Sequence, residues 1–293
     1  MRNDLSFEVW SREREQRIEG VLEALLPVAG DTPGRLAAAM RHAVLGGGKR
    51  LRPLLAYAAS DVVGAAADAV DARAAAVELV HAYSLVHDDL PCMDDDALRR
   101  GRPSCHVAFG VATALLAGDA LQSLAFQVLA REPDGTGACR ILAEAAGSAG
   151  MAGGQQLDLD AAADTIDLGA LERLQRMKTG ALIGAAVRLG AECGRALSPD
   201  EAQALGSYAR AIGLAFQVVD DLLDAEGSSA NLGKTAGKDA AQGKATFVTV
   251  LGRSEARHRI QALHAEALAA LHPLGRDAVR LAELADSIVR RSR

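Results

Sequence analysis

SPDEAQALGSYARAIGLAFQVVDDLLDAEG, residues 198–227, opens with the local signals of a helix start. Ser198 is an N-cap residue, Pro199 takes the first helical position, and Glu201 stands three residues after the cap. Leu205, Ile212, Phe216, Val219 and Leu223 then carry an apolar stripe until Gly227 ends it. At about 1.5 Å per residue such a helix is roughly 40 Å long. Outward from it, the same period predicts helices near 33–45, 53–64, 70–90, 107–131, 138–159, 168–193, 244–252, 254–271 and 276–291. Glycine and proline punctuate the joins at Gly46-Gly47-Gly48, Pro91, Pro133, Gly227 and Pro273. Short joins between long helices make antiparallel neighbours, so the expected architecture is an all-α bundle of long antiparallel helices. No strand-like alternation, internal repeat or composition shift divides the chain, and residues 1–293 read as one domain. The glycine- and serine-rich stretch 227–243 is expected to form a mobile loop.

Composition narrows the function classes. The 293 residues carry 32 Lys plus Arg against 38 Asp plus Glu, and a net charge of −6 argues against a nucleic-acid partner. Aromatics are only 3%, which favours close-packed helices over sandwiches. The four cysteines, at 92, 105, 139 and 193, have neither CxxC nor finger spacing, so reduced thiols and a cytoplasmic setting are expected. The charged N-terminus lacks the apolar core of a signal peptide. The apolar stretch 107–130 is broken by Asp119 and Gln122, so no membrane span is expected.

Two acidic clusters stand out: Asp88-Asp89-Leu90-Pro91-Cys92-Met93-Asp94-Asp95-Asp96 and Asp220-Asp221-Leu222-Leu223-Asp224. Asp220 and Asp224, four apart, share a helix face, with Asp221 turned by about 100°. Asp88 and Asp94 cannot share a face of a regular helix. Pro91 must end or kink that helix, letting the chain swing Asp94 back towards Asp88. Both clusters fall near helix C-termini, where the macrodipole disfavours negative charge, and among apolar neighbours. Carboxylates crowded there need cations. Oxygen-only donors favour a hard ion, Mg²⁺ in particular when a phosphate supplies further oxygens.

The basic residues indicate what is bound. Gly46-Gly47-Gly48-Lys49-Arg50-Leu51-Arg52-Pro53 is a cation-loaded turn without Walker spacing. Arg99-Arg100-Gly101-Arg102 follows the first acidic cluster, Lys178-Thr179 interrupts an apolar helix, and Lys234 and Lys244 flank the glycine-rich stretch. Separate acid and cation groups suit two polyanions, one diphosphate held through metals and another directly by Lys and Arg. His81, two turns before Asp88, could line the same cavity.

On these residues the chain resembles the trans-prenyltransferases (polyprenyl synthetases), and among them the bacterial farnesyl diphosphate type. The matching segments are GGGKRLRP (46–53), HAYSLVHDDLPCMDDDALRRGRPSCH (81–106), GDAL (118–121), GMAGGQQLDL (150–159), MKTGAL (177–182), FQVVDDLLD (216–224), LGK (232–234) and GKATF (243–247). The resemblance implies helices around a deep central cavity with the two acidic motifs facing each other at its mouth, a homodimer, and two to three Mg²⁺ ions bridging the substrate diphosphate. By the same resemblance, Asp88, Asp89 and Asp94, supported by Asp95, form one metal site, and Asp220, Asp221 and Asp224 the facing one. Arg99, Lys178, Thr179, Gln217, Lys234 and Lys244 match positions that hold the allylic diphosphate or shield its cation. Gly48, Lys49, Arg52, His81 and Arg100 match the site for isopentenyl diphosphate. The implied reaction condenses isopentenyl diphosphate head-to-tail with dimethylallyl or geranyl diphosphate to give farnesyl diphosphate, with geranyl or geranylgeranyl diphosphate as alternative products. Tyr83, about 7 Å before Asp88 along the helix axis, reads as a steric floor limiting product length, and the small Ser84 beside it leaves room for longer products. A class I terpene cyclase would need a different second motif. An all-α metal phosphohydrolase built on His87-Asp88 would need histidines clustered about the acids, and the seven histidines do not cluster there. Intact motifs on both sides argue against a non-catalytic partner subunit.

Overall fold

The computed structural model describes residues 5–30, 32–161, 166–227 and 244–290. Its fold is all-α. Helices α1 (Phe7–Leu25), α2 (Gly34–Val44), α3 (Leu51–Val62), α4 (Asp71–Asp88), α5 (Cys105–Phe109), α6 (Val111–Ala130) and α7 (Gly135–Ala146) form the first half. They are followed by α8 (Met151–Ala161), α9 (Leu168–Gln175), α10 (Ala181–Ala191), α11 (Pro199–Ala225), α12 (Phe247–Leu251), α13 (Arg253–Ala270) and α14 (Val279–Arg290). Helix α4 is the axis of the bundle. Residues 73–80 are all buried, and α6, α3 and α10 pack around it. Helix α11 packs against α13 and α10, and one continuous hydrophobic core joins both halves.

Local chemistry sets the ends that matter. In α11 the Ser198 hydroxyl accepts from the Glu201 N–H at 3.2 Å while Glu201 accepts from the Ser198 N–H at 2.8 Å, which closes the capping box. Helix α4 stops at Asp88, and a turn through Pro91 returns the chain so that the Asp94 N–H donates to the Asp88 carbonyl at 2.8 Å. Both acidic motifs therefore sit at helix C-termini.

Several boundaries differ from expectation. Helix α1 escapes the periodicity reading because only Trp10, Ile18 and Leu22 are buried in a charged sequence. The predicted helix at 107–131 divides at Gly110, whose φ of 84° no ordinary helix accommodates, and the one at 138–159 divides into α7 and α8. The helix at 168–193 is continuous only through a π-helical turn, Arg176–Gly180. A hairpin that period counting did not find, β1 (Leu98–Arg99) with β2 (Arg102–Pro103), turns through Arg100 and Gly101, both at positive φ.

Candidate active site

A cavity of about 1050 Å³ opens among α3, α4, α8, α11, α14 and the π-helical turn. The last three turns of α4 line it, with Glu78, His81, Leu85 and Asp88 recurring at helical spacing.

The acid side is built from two helix ends. Asp88 and Asp94 come from the end of α4 and the turn after it, and Asp220 and Asp221 from the last turns of α11. Burial, reinforced by the negative charge of Asp94, pushes the Asp88 carboxyl up to about 6 from its ordinary 3.8, while Lys178 pulls against this shift. Ionisation of Asp88 here costs about 3 kcal/mol more than in water, a penalty that a nearby cation removes. Lysines already bridge this wall. Lys244 Nζ donates to Asp94 Oδ1 at 2.8 Å, and Lys178 Nζ to Asp158 Oδ2 at 2.6 Å. The π-helical turn swings Lys178 and Thr179 out of the regular helical register, as such insertions commonly do at functional sites. Gly154 lets α8 approach this turn, since a Cβ there would lie 2.1 Å from the Lys178 backbone nitrogen.

Thr179 Oγ1 donates to Gln217 Oε1 at 3.1 Å, and Gln217 Nε2 donates to Asp221 Oδ1 at 2.8 Å. The other Asp221 oxygen accepts from the Phe247 N–H at 2.8 Å. Asp221 thus ties the start of α12 to α11, and it fixes which way the Gln217 amide faces.

A basic group lines the same cavity. Lys49, Arg52, Arg100 and His81 line it, and no hydrogen bond from the Arg52 or Arg100 guanidinium is found among the described residues. Arg52 is 9% exposed and its Nε is buried without a partner. Buried donors of this kind are suited to an anion. Gly48, at φ 134°, makes room for Arg100, because a Cβ would stand 2.6 Å from the guanidinium carbon. Burial, with the positive charge of Arg52 and Arg100, holds the His81 imidazole well below its usual range and therefore neutral.

Some expected site residues lie elsewhere. Asp89 is 2% exposed and is not among the cavity-lining residues. Its two oxygens accept from Arg99 Nε at 3.0 and 3.2 Å, and Arg99 Nη2 also reaches it. In this structure Asp89, expected among the metal donors, holds Arg99, which lines the cavity. Asp95, at φ 49°, points outward beside His106, and Asp224 is buried off the cavity wall. Lys234 and the glycine-rich stretch lie outside the described residues, apart from Gly227. Tyr83 and Ser84 both line the cavity. The Tyr83 hydroxyl accepts from Gln122 at 3.4 Å and its ring meets His87 edge-on at 5.7 Å. Sequence reasoning assigned no role to Glu78, Asp96, Gln155 or Asp158, which also line the cavity. The signal for Asp158 was its place in the GMAGGQQLDL segment, three residues after Gln155 on one helix face.

Among the described residues no three carboxylates converge into a ready-made metal cage. The acids come from two helix ends, and each offers oxygen donors. This donor set fits Mg²⁺, which binds through one or two carboxylates with substrate phosphate oxygens and water completing its shell.

Residues 33–272 match the polyprenyl synthetase family. The chain is 51% identical over 268 residues to the farnesyl diphosphate synthase of Escherichia coli, which covers 87% of this chain and 88% of that one. Among solved structures it is similar to an FPP/GFPP synthase from Zymomonas mobilis, with a TM-score of 0.87 and 43% identity over 97% of this chain and 98% of that one. It is also similar to a geranyltransferase from Helicobacter pylori complexed with magnesium and isoprenyl diphosphate, with a TM-score of 0.85 and 32% identity over 98% of each chain. A cavity lined by both clustered acids and buried arginines, on this fold and at these identities, belongs to one group of enzymes: the chain is a prenyltransferase of the polyprenyl synthetase family.

Proposed function

We propose that this chain condenses isopentenyl diphosphate head-to-tail with dimethylallyl and then geranyl diphosphate, giving farnesyl diphosphate. The single observation that carries this reading is one cavity lined both by the acids Asp88, Asp94 and Asp220 and by the cations Lys49, Arg52 and Arg100. Asp88, Asp94 and Asp220 would hold two to three Mg²⁺ ions. Bound there, Mg²⁺ supplies neutralisation of the negative charge that develops on a departing diphosphate. Lys178, Lys244 and Arg99 add fixed positive charge on the same side, so the allylic C–O bond breaks with its electron pair leaving on oxygen. The oxygens of Thr179 and Gln217 turn their dipoles towards the cationic carbon. Apolar walls including Leu85, Met151 and Phe216 keep water from it. In the same cavity the arginines and Lys49 grip isopentenyl diphosphate while its double bond attacks, and the neutral His81 lines the pocket beside them. A proton is then lost from the adjacent carbon to the released diphosphate, so no side-chain base is assigned.

Product length follows from the depth of the cavity. Tyr83 is 9% exposed and lines the cavity one to two helical turns before Asp88, which supports its reading as a floor after two condensations. The test is chain-length analysis of products formed from both substrates with Mg²⁺. Farnesyl diphosphate as the main product is the expected result, and predominant geranyl or geranylgeranyl diphosphate would replace the assignment of product.

The same reading makes the enzyme a homodimer. Helix α6 is apolar enough in length and composition to cross a membrane, at a mean hydropathy of 1.3, yet it packs along α4. Its outward Val111, Leu115 and Leu116 are exposed, as is the adjoining Val107, and a second copy of this chain suits such a face. Leu116→Asp should shift the sedimentation of the chain from dimer to monomer. The cysteines are unpaired thiols, which supports a cytoplasmic setting.

A further inference from the structure

Lys49 stands in a stretch without regular structure, and Arg52 in the first turn of α3. Between those two residues stands Arg50, whose role the sequence motif leaves open. Its side chain is 1% exposed. Each guanidinium nitrogen is committed to a different part of the molecule: Nε donates to Glu19 on α1, Nη1 to Glu78 on α4, and Nη2 to the carbonyl of Val44 at the end of α2, all at 2.7 Å. Glu78 is itself 2% exposed and lines the cavity near Arg52 and Arg100. The Arg50 backbone is left-handed, with φ 44° and ψ 35°, a conformation that a side chain with a Cβ adopts only when its surroundings enforce it. Helix α3 begins at the next residue, so this bend determines where the Lys49 and Arg52 side chains leave the backbone.

We infer that Arg50 is a positioning residue of the isopentenyl diphosphate site: its clamp on Glu19, Glu78 and Val44 sets the spacing of Lys49 and Arg52 before that substrate arrives. The inference rests on the proposed two-substrate reading. It concerns one subsite alone, because Arg50 reaches no group of the Asp88, Asp94 and Asp220 side. The charge pattern supports it. Arg50 with two carboxylates leaves one excess negative charge, which offsets the buried arginines opposite without occupying their donors. Lysine at position 50 keeps the charge but cannot present three fixed N–H directions.

The experiment is steady-state kinetics of the full chain with Mg²⁺, varying isopentenyl diphosphate at saturating geranyl diphosphate and then the reverse. Arg50→Lys should raise KM for isopentenyl diphosphate by about tenfold while KM for geranyl diphosphate stays within about twofold. Glu19→Ala removes one anchor at a half-exposed carboxylate and leaves the buried pair intact, so it tests the same idea without threatening the fold. It should give a rise of about threefold, in the same substrate only. Unchanged KM for isopentenyl diphosphate in both variants would overturn the inference, as would parallel rises in both KM values accompanied by a lower melting temperature. A wild-type chain that leaves isopentenyl diphosphate untouched in the presence of geranyl diphosphate would instead remove the two-substrate reading beneath it.

Discussion

The two charged groups that line the cavity, hereafter its acid and arginine sides, solve opposite electrostatic problems. The acid side gathers carboxylates at helix C-termini, where backbone dipoles disfavour negative charge, and burial with the charge of Asp94 pushes Asp88 up to about 6. Lysines partly relieve this side, through Lys244 on Asp94 and Lys178 on Asp158. The arginine side gathers cations with Glu78 among them, and Arg52 keeps buried donor capacity without a partner. One side is therefore built to take up further cations together with an anion, and the other to take up an anion directly. The difference teaches that a single cavity can treat two chemically alike diphosphates differently, one activated for departure and the other simply held.

Substitutions can break this comparison. The largest effect should come from Asp220→Ala, lowering kcat by a factor on the order of 10³ with the fold retained by circular dichroism, because lost charge stabilisation acts on the transition state. Near-normal turnover would contradict its metal role. Arg52→Met should raise KM for isopentenyl diphosphate by about a hundredfold, with much less effect on the allylic substrate, as measured by initial rates. Equal rises for both substrates would erase the distinction between the sides. Tyr83→Ala should leave both diphosphate sites in place and lengthen the product, read by chromatography of the hydrolysed prenols. An unchanged distribution would remove Tyr83 as the floor.

The smallest effect is one of pH. His81 faces Arg52 of α3 and the hairpin arginines, so its folded pKa lies well below the ordinary 6.5. Above pH 6.5 the imidazole is neutral in both folded and unfolded chains and contributes no pH dependence. As pH falls through that value, the unfolded chain takes up a proton that the folded one refuses, and stability declines. Denaturant titrations at about pH 7.5 and about pH 5.5 should show a smaller loss on acidification for His81→Asn than for the wild type. An identical loss would mean that the imidazole is not held neutral.

The parts legible in the sequence were those set by near neighbours. The capping box of α11, the acidic pairs four apart, the helix-ending Pro91 and the cation-rich turn all announce themselves within a few residues. What escaped depends on partners far along the chain. Asp89 looks like a member of the acidic motif until Arg99, brought back by a hairpin, takes both its oxygens. Glu78 looks like a stray charge in an apolar helix until Arg50, 28 residues away, meets it. The π-helical turn at Lys178 leaves no mark on hydrophobic periodicity, because it shifts the register by a single residue. Helix α1 buries too narrow a stripe for pattern reading to find it.

The most direct test of two unlike sides in one cavity is a co-substrate experiment with Mg²⁺, in which isopentenyl diphosphate, geranyl diphosphate and their mixture are incubated separately with the full chain. The account predicts that isopentenyl diphosphate is consumed, and inorganic diphosphate released, only in the mixture. Hydrolysis of either compound alone, or release of a cyclic hydrocarbon from geranyl diphosphate, would contradict it.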